Sequence, residues 1–231
     1  MFQKIVLGDC LAELAKLPDQ CIDLVITDPP YGVNWISNRS KQKEHITRWG
    51  IQNDTPEEAF ELFSKVCELL DRKTKQDAHF YIFAGWRVYP DFAKIMSQYW
   101  HINNLIIWDK GNHGAGDLKS WGNRYETIIF GSKGNKPINH RRDDIIYIPR
   151  INSLKLLHPT QKPVALVKVL LEVSARGGDV VCDPFMGVGT TIKAVKEFGK
   201  LDYIGIELDE RYFERAKVFT NLIQPTLFSV A

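Results

Sequence analysis

Cysteine is scarce and scattered in this sequence. Cys10, Cys21, Cys67 and Cys182 stand far apart and form no Cys-x-x-Cys pair. That spacing excludes a zinc-ribbon site and a disulfide framework, and it leaves reduced, mostly buried thiols with no metal expected. Charge of one sign is also lacking: 30 Lys and Arg against 28 Asp and Glu give a net charge of +2. A histone-like mode of binding is therefore excluded, and any contact with nucleic acid has to come from local clusters. No apolar run reaches the length of a membrane span and no secretory signal is evident, so a soluble, cytoplasmic protein without a membrane partner is expected. Internal repeats and low-complexity tracts are missing too. The 231 residues, 44% hydrophobic, suit one large α/β unit, 1–231, with at most a small insertion.

What the sequence does have is a series of short apolar runs, each ending in an acid. Lys4–Asp9, Ile22–Asp28, Val180–Asp183 and Tyr203–Glu207 all read this way. They are β-branched enough to be buried strands, and amphipathic helical stretches separate them. In an open α/β sheet, ligands bind at the carboxyl ends of the strands. Four carboxylates are thus expected along one edge of one sheet.

The second of these runs leads into Asp28-Pro29-Pro30-Tyr31. The prolines stop sheet pairing and stiffen the turn, and they add carbonyl acceptors without N–H donors. An exocyclic amine on a nucleobase is a poor nucleophile, because its lone pair is delocalised into the ring. Two acceptors, the Asp28 carboxylate and the Pro29 carbonyl, would favour a more tetrahedral nitrogen. Tyr31 could stack on the base, a contact worth about 1–3 kcal/mol. The same four letters also suit a plain surface turn, so the rest of the chain has to decide.

Asp183 to Glu207 reads as strand, glycine-rich turn, helix and strand ending in an acid. Gly187 and Gly189 allow the backbone to approach a ligand closely. The terminal carboxylate follows the first glycine by about twenty residues, the spacing at which Rossmann-like units take ribose hydroxyls. Thr190 stands where a P-loop has lysine, and Ile192 where a dinucleotide fingerprint has its third glycine. A nucleoside without a phosphate chain fits better, and S-adenosyl-L-methionine is such a ligand, with its ribose on Glu207 and its ammonium on Asp183.

Two basic segments interrupt the pattern. Residues 33–56 read as a long mobile loop carrying Arg39, Lys41, Lys43 and Arg48 between Trp35 and Trp49. Residues 132–157 carry Arg141, Arg142 and Arg150 among other cations and read as a short target-recognition insertion. Basic residues beside a base-binding turn suggest contact with the DNA backbone, and Arg and Asn can read base edges. Ordinary solvated loops have the same composition.

Taken in order, Gly8-Asp9-Cys10, Asp28-Pro29-Pro30-Tyr31, His158-Pro159-Thr160-Gln161-Lys162-Pro163, Asp183-Pro184-Phe185-Met186-Gly187-Val188-Gly189-Thr190-Thr191 and Gly205-Ile206-Glu207 resemble the DNA amino-methyltransferases, with the catalytic motif ahead of the cofactor motif. The resemblance spans nearly the whole chain. It implies a Rossmann-like, S-adenosylmethionine-dependent fold: a mixed, mostly parallel sheet with helices on both faces and an antiparallel strand near one edge. It also implies a circular permutation that sets the Lys4–Asp9 strand beside the Tyr203–Glu207 strand. Asp28, Pro29, Pro30 and Tyr31 would be catalytic, with Asp28 also bordering the cofactor. Asp183, Phe185, Gly187 and Gly189 would hold the methionine end, Thr160, Gln161 and Lys162 would lie near its carboxylate, Glu207 would take the ribose hydroxyls, Asp9 and Cys10 would meet the adenine, and Pro184, Thr190, Thr191 and Leu208 would also border the cofactor. Val188 departs from the serine usual in the family turn.

The implied activity is methylation of adenine N6 in duplex DNA by base flipping and direct attack, in a bacterial or phage-encoded enzyme. Cytosine N4, RNA or a protein amide are alternative acceptors, and a non-catalytic DNA-binding protein is the alternative of another class. The family's carbon-5 cytosine counterparts use a Pro-Cys pair, which this sequence lacks. Gln224-Pro225-Thr226-Leu227-Phe228 resembles the peptide by which bacterial proteins dock on the replication sliding clamp, and it also reads as a core-covering tail. A dimer is compatible with all of this.

Overall fold

The computed structural model describes residues 2–32, 55–113, 118–158 and 160–222. Arg39, Lys41, Lys43 and Arg48, with the rest of 33–54, and the clamp-like peptide 224–228 lie outside the described residues.

Among the described residues, eight strands form one sheet. They are β1 (Gln3–Leu7), β2 (Ile22–Thr27), β3 (Thr74–Ala84), β4 (His101–Asp109), β5 (Tyr125–Lys133), β6 (Ile145–Tyr147), β7 (Val180–Asp183) and β8 (Asp202–Glu207), in the order β1-β8-β7-β2-β3-β5-β4-β6. Strand β5 runs antiparallel to both β3 and β4, and all other pairings are parallel. The expected permutation is present: Gln3 lies opposite Tyr203 and Leu7 opposite Glu207. Because the other seven strands point the same way, their carboxyl ends share one edge with the start of β5.

The helices divide between the two faces. Helices α1 (Cys10–Ala15), α2 (Pro56–Lys73) and α3 (Tyr89–Met96) pack Leu14, Phe63, Val66, Leu70, Phe92 and Met96 against Val25, Phe80 and Ile82. Helices α4 (Val164–Ser174), α5 (Thr190–Phe198) and α6 (Glu210–Phe219) pack Leu166, Leu170, Ile192, Val195 and Ala216 around Leu24, Ile26, Tyr81 and Phe83. Alternate residues of the central strands therefore enter opposite cores, and strands buried on both faces carry unbroken apolar runs. Thr55 caps α2 by accepting from the Glu58 N–H at 3.4 Å, with Pro56 at the first helical position.

Strand β3 begins at Thr74, five residues before its buried run His79–Ala84, because its polar start still pairs in the sheet, with Thr74 opposite Ile22. Residues 132–157 are woven into the fold: Ile145–Tyr147 adds edge strand β6 beside β4. Three of the segment's cations also face acids elsewhere in the chain, Lys133 with Asp71 at 3.1 Å, Lys136 with Asp179 at 2.9 Å and Arg142 with Glu172 at 3.3 Å.

Candidate active site

A cleft of about 980 Å³ runs along the carboxyl edge of the sheet. Its walls include Gly8, Asp9 and Cys10 after β1, Asp28 to Tyr31 after β2, Gly85 and Trp86 after β3, Asp183 to Val188 after β7 and Glu207 to Asp209 after β8. The segment leading into α4 adds His158, Thr160, Gln161 and Lys162. The catalytic and cofactor residues expected from sequence thus border one cavity, except Gly189, which shapes the turn behind it. Of the cations expected to contact DNA, Arg150 lines it, while Arg141 and Arg142 precede β6 and so sit toward the opposite edge of the sheet.

At one end, the turn after β7 folds back on β8. The Met186 N–H donates to the Ile206 carbonyl at 2.9 Å, and the Gly187 N–H donates to Glu207 Oε2 at 2.8 Å. The Asp209 N–H donates to Glu207 Oε1 at 2.8 Å. Asp183 Oδ1 accepts from the Thr27 hydroxyl at 2.6 Å and from the Phe185 N–H at 3.1 Å, and Thr191 adds a further hydrogen bond. Two glycines are dictated by this packing. Gly189 has φ +82, which L-residues rarely adopt. A Cβ on Gly205 would come within 2.6 Å of the Met186 sulfur. Val188, in place of the family's serine, is buried with Tyr212 and Leu157, so an apolar side chain suits the position.

Burial pushes the Glu207 carboxyl up to about 7 and the Asp183 carboxyl up to about 6. Cys10 is buried and its thiol is pushed up to about 12, first by burial and then by Asp9, so it is a neutral apolar wall at neutral pH. Asp9 caps α1, accepting from the Ala12 N–H at 2.9 Å. Two buried-to-half-buried carboxylates, a glycine-lined turn and the Cys10 and Ile206 wall make a donor set fit for a cationic nucleoside.

At the other end, Asp28 Oδ2 accepts from the Lys162 ammonium at 2.7 Å, and Asp28 Oδ1 accepts from the Tyr31 hydroxyl at 2.5 Å. Glu126, the second residue of β5, faces the same two groups: Oε1 lies 2.8 Å from Lys162 Nζ and 2.8 Å from the Tyr31 oxygen. Lys110, just after β4, is 3.6 Å from Glu126 Oε2. Burial, then Glu126, raises Asp28 above the usual carboxylate range against the pull of Lys162. Burial alone would raise Glu126 as well, but Lys162 and Lys110 outweigh it and hold that carboxyl low.

This arrangement revises the role expected of Lys162. The sequence assigned it to the cofactor's carboxylate together with Thr160 and Gln161. Its ammonium is instead directed at Asp28 and Glu126, because a buried cation needs carboxylate partners and two stand within reach. Thr160 turns its hydroxyl to His158 Nδ1 at 3.1 Å, and Gln161 accepts from the Leu157 N–H at 2.8 Å, so both brace the segment. Glu126 is not among the residues that the sequence motifs single out. Its signal was an acid inside the run Tyr125-Glu126-Thr127-Ile128-Ile129-Phe130, on the face it shares with Ile128 and Phe130.

Comparison with known proteins agrees with this geometry. The profile of the N6/N4 methyltransferase family, described as DNA methylase, matches residues 22–218. DNA adenine methyltransferase YhdJ of Escherichia coli (strain K12) is 28% identical over 91% of this chain and 80% of its own. Type II methyltransferase M.MwoI of Methanothermobacter wolfeii is also 28% identical, over 95% of this chain but 34% of its own length. The M1.HpyAVI–SAM complex superposes with a TM-score of 0.67 at 23% identity, covering 94% of this chain and 98% of the other. The cytosine-N4-specific PvuII DNA methyltransferase superposes with a TM-score of 0.75 at 15% identity, covering 98% and 88%. At those identities the two structures speak for the fold.

Proposed function

The chain belongs to the N6/N4 DNA methylase family and uses S-adenosyl-L-methionine, and on that premise we propose that it methylates the N6 amine of adenine in duplex DNA. The observation that carries the reading is the shared cleft: the Asp28–Tyr31 turn and the Asp183–Glu207 unit border one cavity, on neighbouring strands β2 and β7. The target base leaves the duplex stack, at a cost of a few kcal/mol, and enters at the Asp28 end. Asp28 and the Pro29 carbonyl accept hydrogen bonds from the amine and orient its lone pair. The Tyr31 ring, with its hydroxyl held by Asp28 and Glu126, is fixed to offer a face to the base. The cofactor supplies an electrophilic methyl group on a sulfonium. Glu207 takes the ribose hydroxyls, Asp183 the ammonium, and Cys10 borders the adenine. Trp86, 51% exposed at the cleft, and Arg150 present aromatic and cationic surface to the DNA.

The deciding experiment is methyl transfer to mixed-sequence duplex DNA, followed by nucleoside mass analysis. N6-methyladenine is the expected product. N4-methylcytosine would keep the chemistry and change the base, and an unmodified duplex with cofactor bound would move the acceptor to RNA or protein.

The raised carboxyls give a second expectation. A cationic ligand binds best to ionised Asp183 and Glu207, so below their pKa values binding must first expel protons. Affinity therefore falls as pH drops through 7 and 6 and levels off above. Linkage for the Glu207 carboxyl at about 7 gives roughly a tenfold weaker Kd at pH 6 than at pH 8. Calorimetric titration at the two pH values measures it, and equal affinities would mean that neither carboxyl meets the ligand.

A further inference from the structure

Four side chains close a ring at the base end of the cleft. Lys162 bridges Asp28 and Glu126 on one side, at 2.7 and 2.8 Å. The Tyr31 hydroxyl bridges the same two carboxylates on the other, at 2.5 and 2.8 Å. A phenol has one proton to donate, so two carboxylates compete for one hydroxyl and one ammonium. With both carboxylates ionised the ring carries a formal charge of −1.

An aspartate paired with a lysine alone would be a stable carboxylate and a poor base. A second carboxylate on the same ammonium changes that. It divides the stabilisation Lys162 can give, and its negative charge favours uptake of one proton by the pair. We propose that Glu126 is a positioning residue that keeps Asp28 competent to take the proton lost by the target amine. This rests on the methyl-transfer reading above. In the transfer the amine nitrogen gains a bond to carbon, the electron pair of the broken carbon–sulfur bond stays on sulfur, and the N–H proton passes to Asp28. The ring then goes from −1 to neutral, and the proton returns to solvent once product leaves.

Other charged groups facing the ring are consistent with that role. Lys110, just after β4, lies 3.6 Å from Glu126 and helps hold it ionised. Asp183, from β7, is close enough to interact with Asp28 through space. His158, on the segment before α4, interacts with Lys162, and burial pushes it down to about 3, so it is neutral in the working range and adds no competing charge.

Glu126→Gln keeps the shape and an acceptor oxygen and removes the charge. Single-turnover methyl transfer would be followed from pH 5 to 9 with saturating cofactor and duplex, beside cofactor binding. In E126Q the acidic limb of the rate profile is expected to move down by about one pH unit as Asp28 becomes a weaker base. The plateau is expected to drop by about ten- to a hundredfold, within the range of acid–base contributions, with cofactor binding kept. Glu126→Asp keeps the charge, so its limb should stay near the wild-type position even if its rate falls. A limb that does not move in E126Q, or that moves equally in E126D, overturns the role of Glu126. A wild-type protein that binds cofactor yet transfers no methyl group to DNA overturns the underlying reading instead.

Discussion

Asp28→Ala is expected to lower methyl transfer on the order of 10³-fold or more while leaving cofactor binding nearly intact, as befits loss of a group that orients and deprotonates the nucleophile. The fold should survive. Lys162 keeps Glu126 at 2.8 Å, so removal of Asp28 leaves a paired ammonium rather than an orphaned one. Tyr31 keeps Glu126 as acceptor, and the prolines still shape the turn. Asp28→Asn should fall between the two, since it retains a carbonyl acceptor and loses the charge. Single-turnover rates and cofactor titrations on the same preparations separate these effects. Simultaneous loss of rate and binding, with an unchanged melting temperature, would place Asp28 in the cofactor site and sink the assignment.

Lys162→Met should act on the fold as much as on the chemistry. The substitution leaves two carboxylates, 19% and 14% exposed, facing one another across a phenol. Breaking a buried ion pair from one side costs about 3–5 kcal/mol, less where a carboxyl can escape by taking up a proton. That escape gives the loss a pH dependence of known sign. Without Lys162 the folded-state pKa of the carboxyl pair rises above its unfolded value, so the protonated pair is tolerated in acid and the penalty grows as pH climbs toward the raised pKa. The variant should therefore lose more stability, relative to wild type, at pH 8 than at pH 5. Denaturant midpoints at the two pH values test this, and a pH-independent difference would show that the ammonium contributes packing rather than charge.

Much of the fold was written in the strands. Ile22–Thr27 and Val180–Asp183 occur as expected, because strands buried on both faces need continuous apolar, β-branched residues. The adjacency of β1 and β8 followed from motif order rather than from either strand alone. Less legible was anything set by pairing across the molecule. The polar start of β3 is stabilised by its neighbour, and the three residues of β6 are too few to show a period within a charged segment. The same holds for the site. Asp28, Asp183 and Glu207 were visible as acids at strand ends. Glu126 was not, because β5 runs against the rest and brings the beginning of a strand, rather than its end, to the cleft. Lys162 was visible as a residue, yet its partners lie 134 and 36 positions away by sequence number, and local pattern carries no trace of them.

The pairing of β1 with β8 also bears on how the chain folds. The Phe2 N–H donates to Asp202 Oδ2 at 2.6 Å across 200 positions of sequence. During synthesis, β1 emerges well before β8 and has no sheet partner until β8 has been made. Strand β2, at the centre of the sheet, finds β3 early on one edge, but its other edge meets β7 only after some 155 further residues. Contacts of such sequence separation slow folding and prolong the exposure of unpaired strand edges. The chain must therefore carry β1 without a sheet partner, and one edge of β2 open, until β8 and β7 have been made, which lengthens the time during which strand edges can pair wrongly.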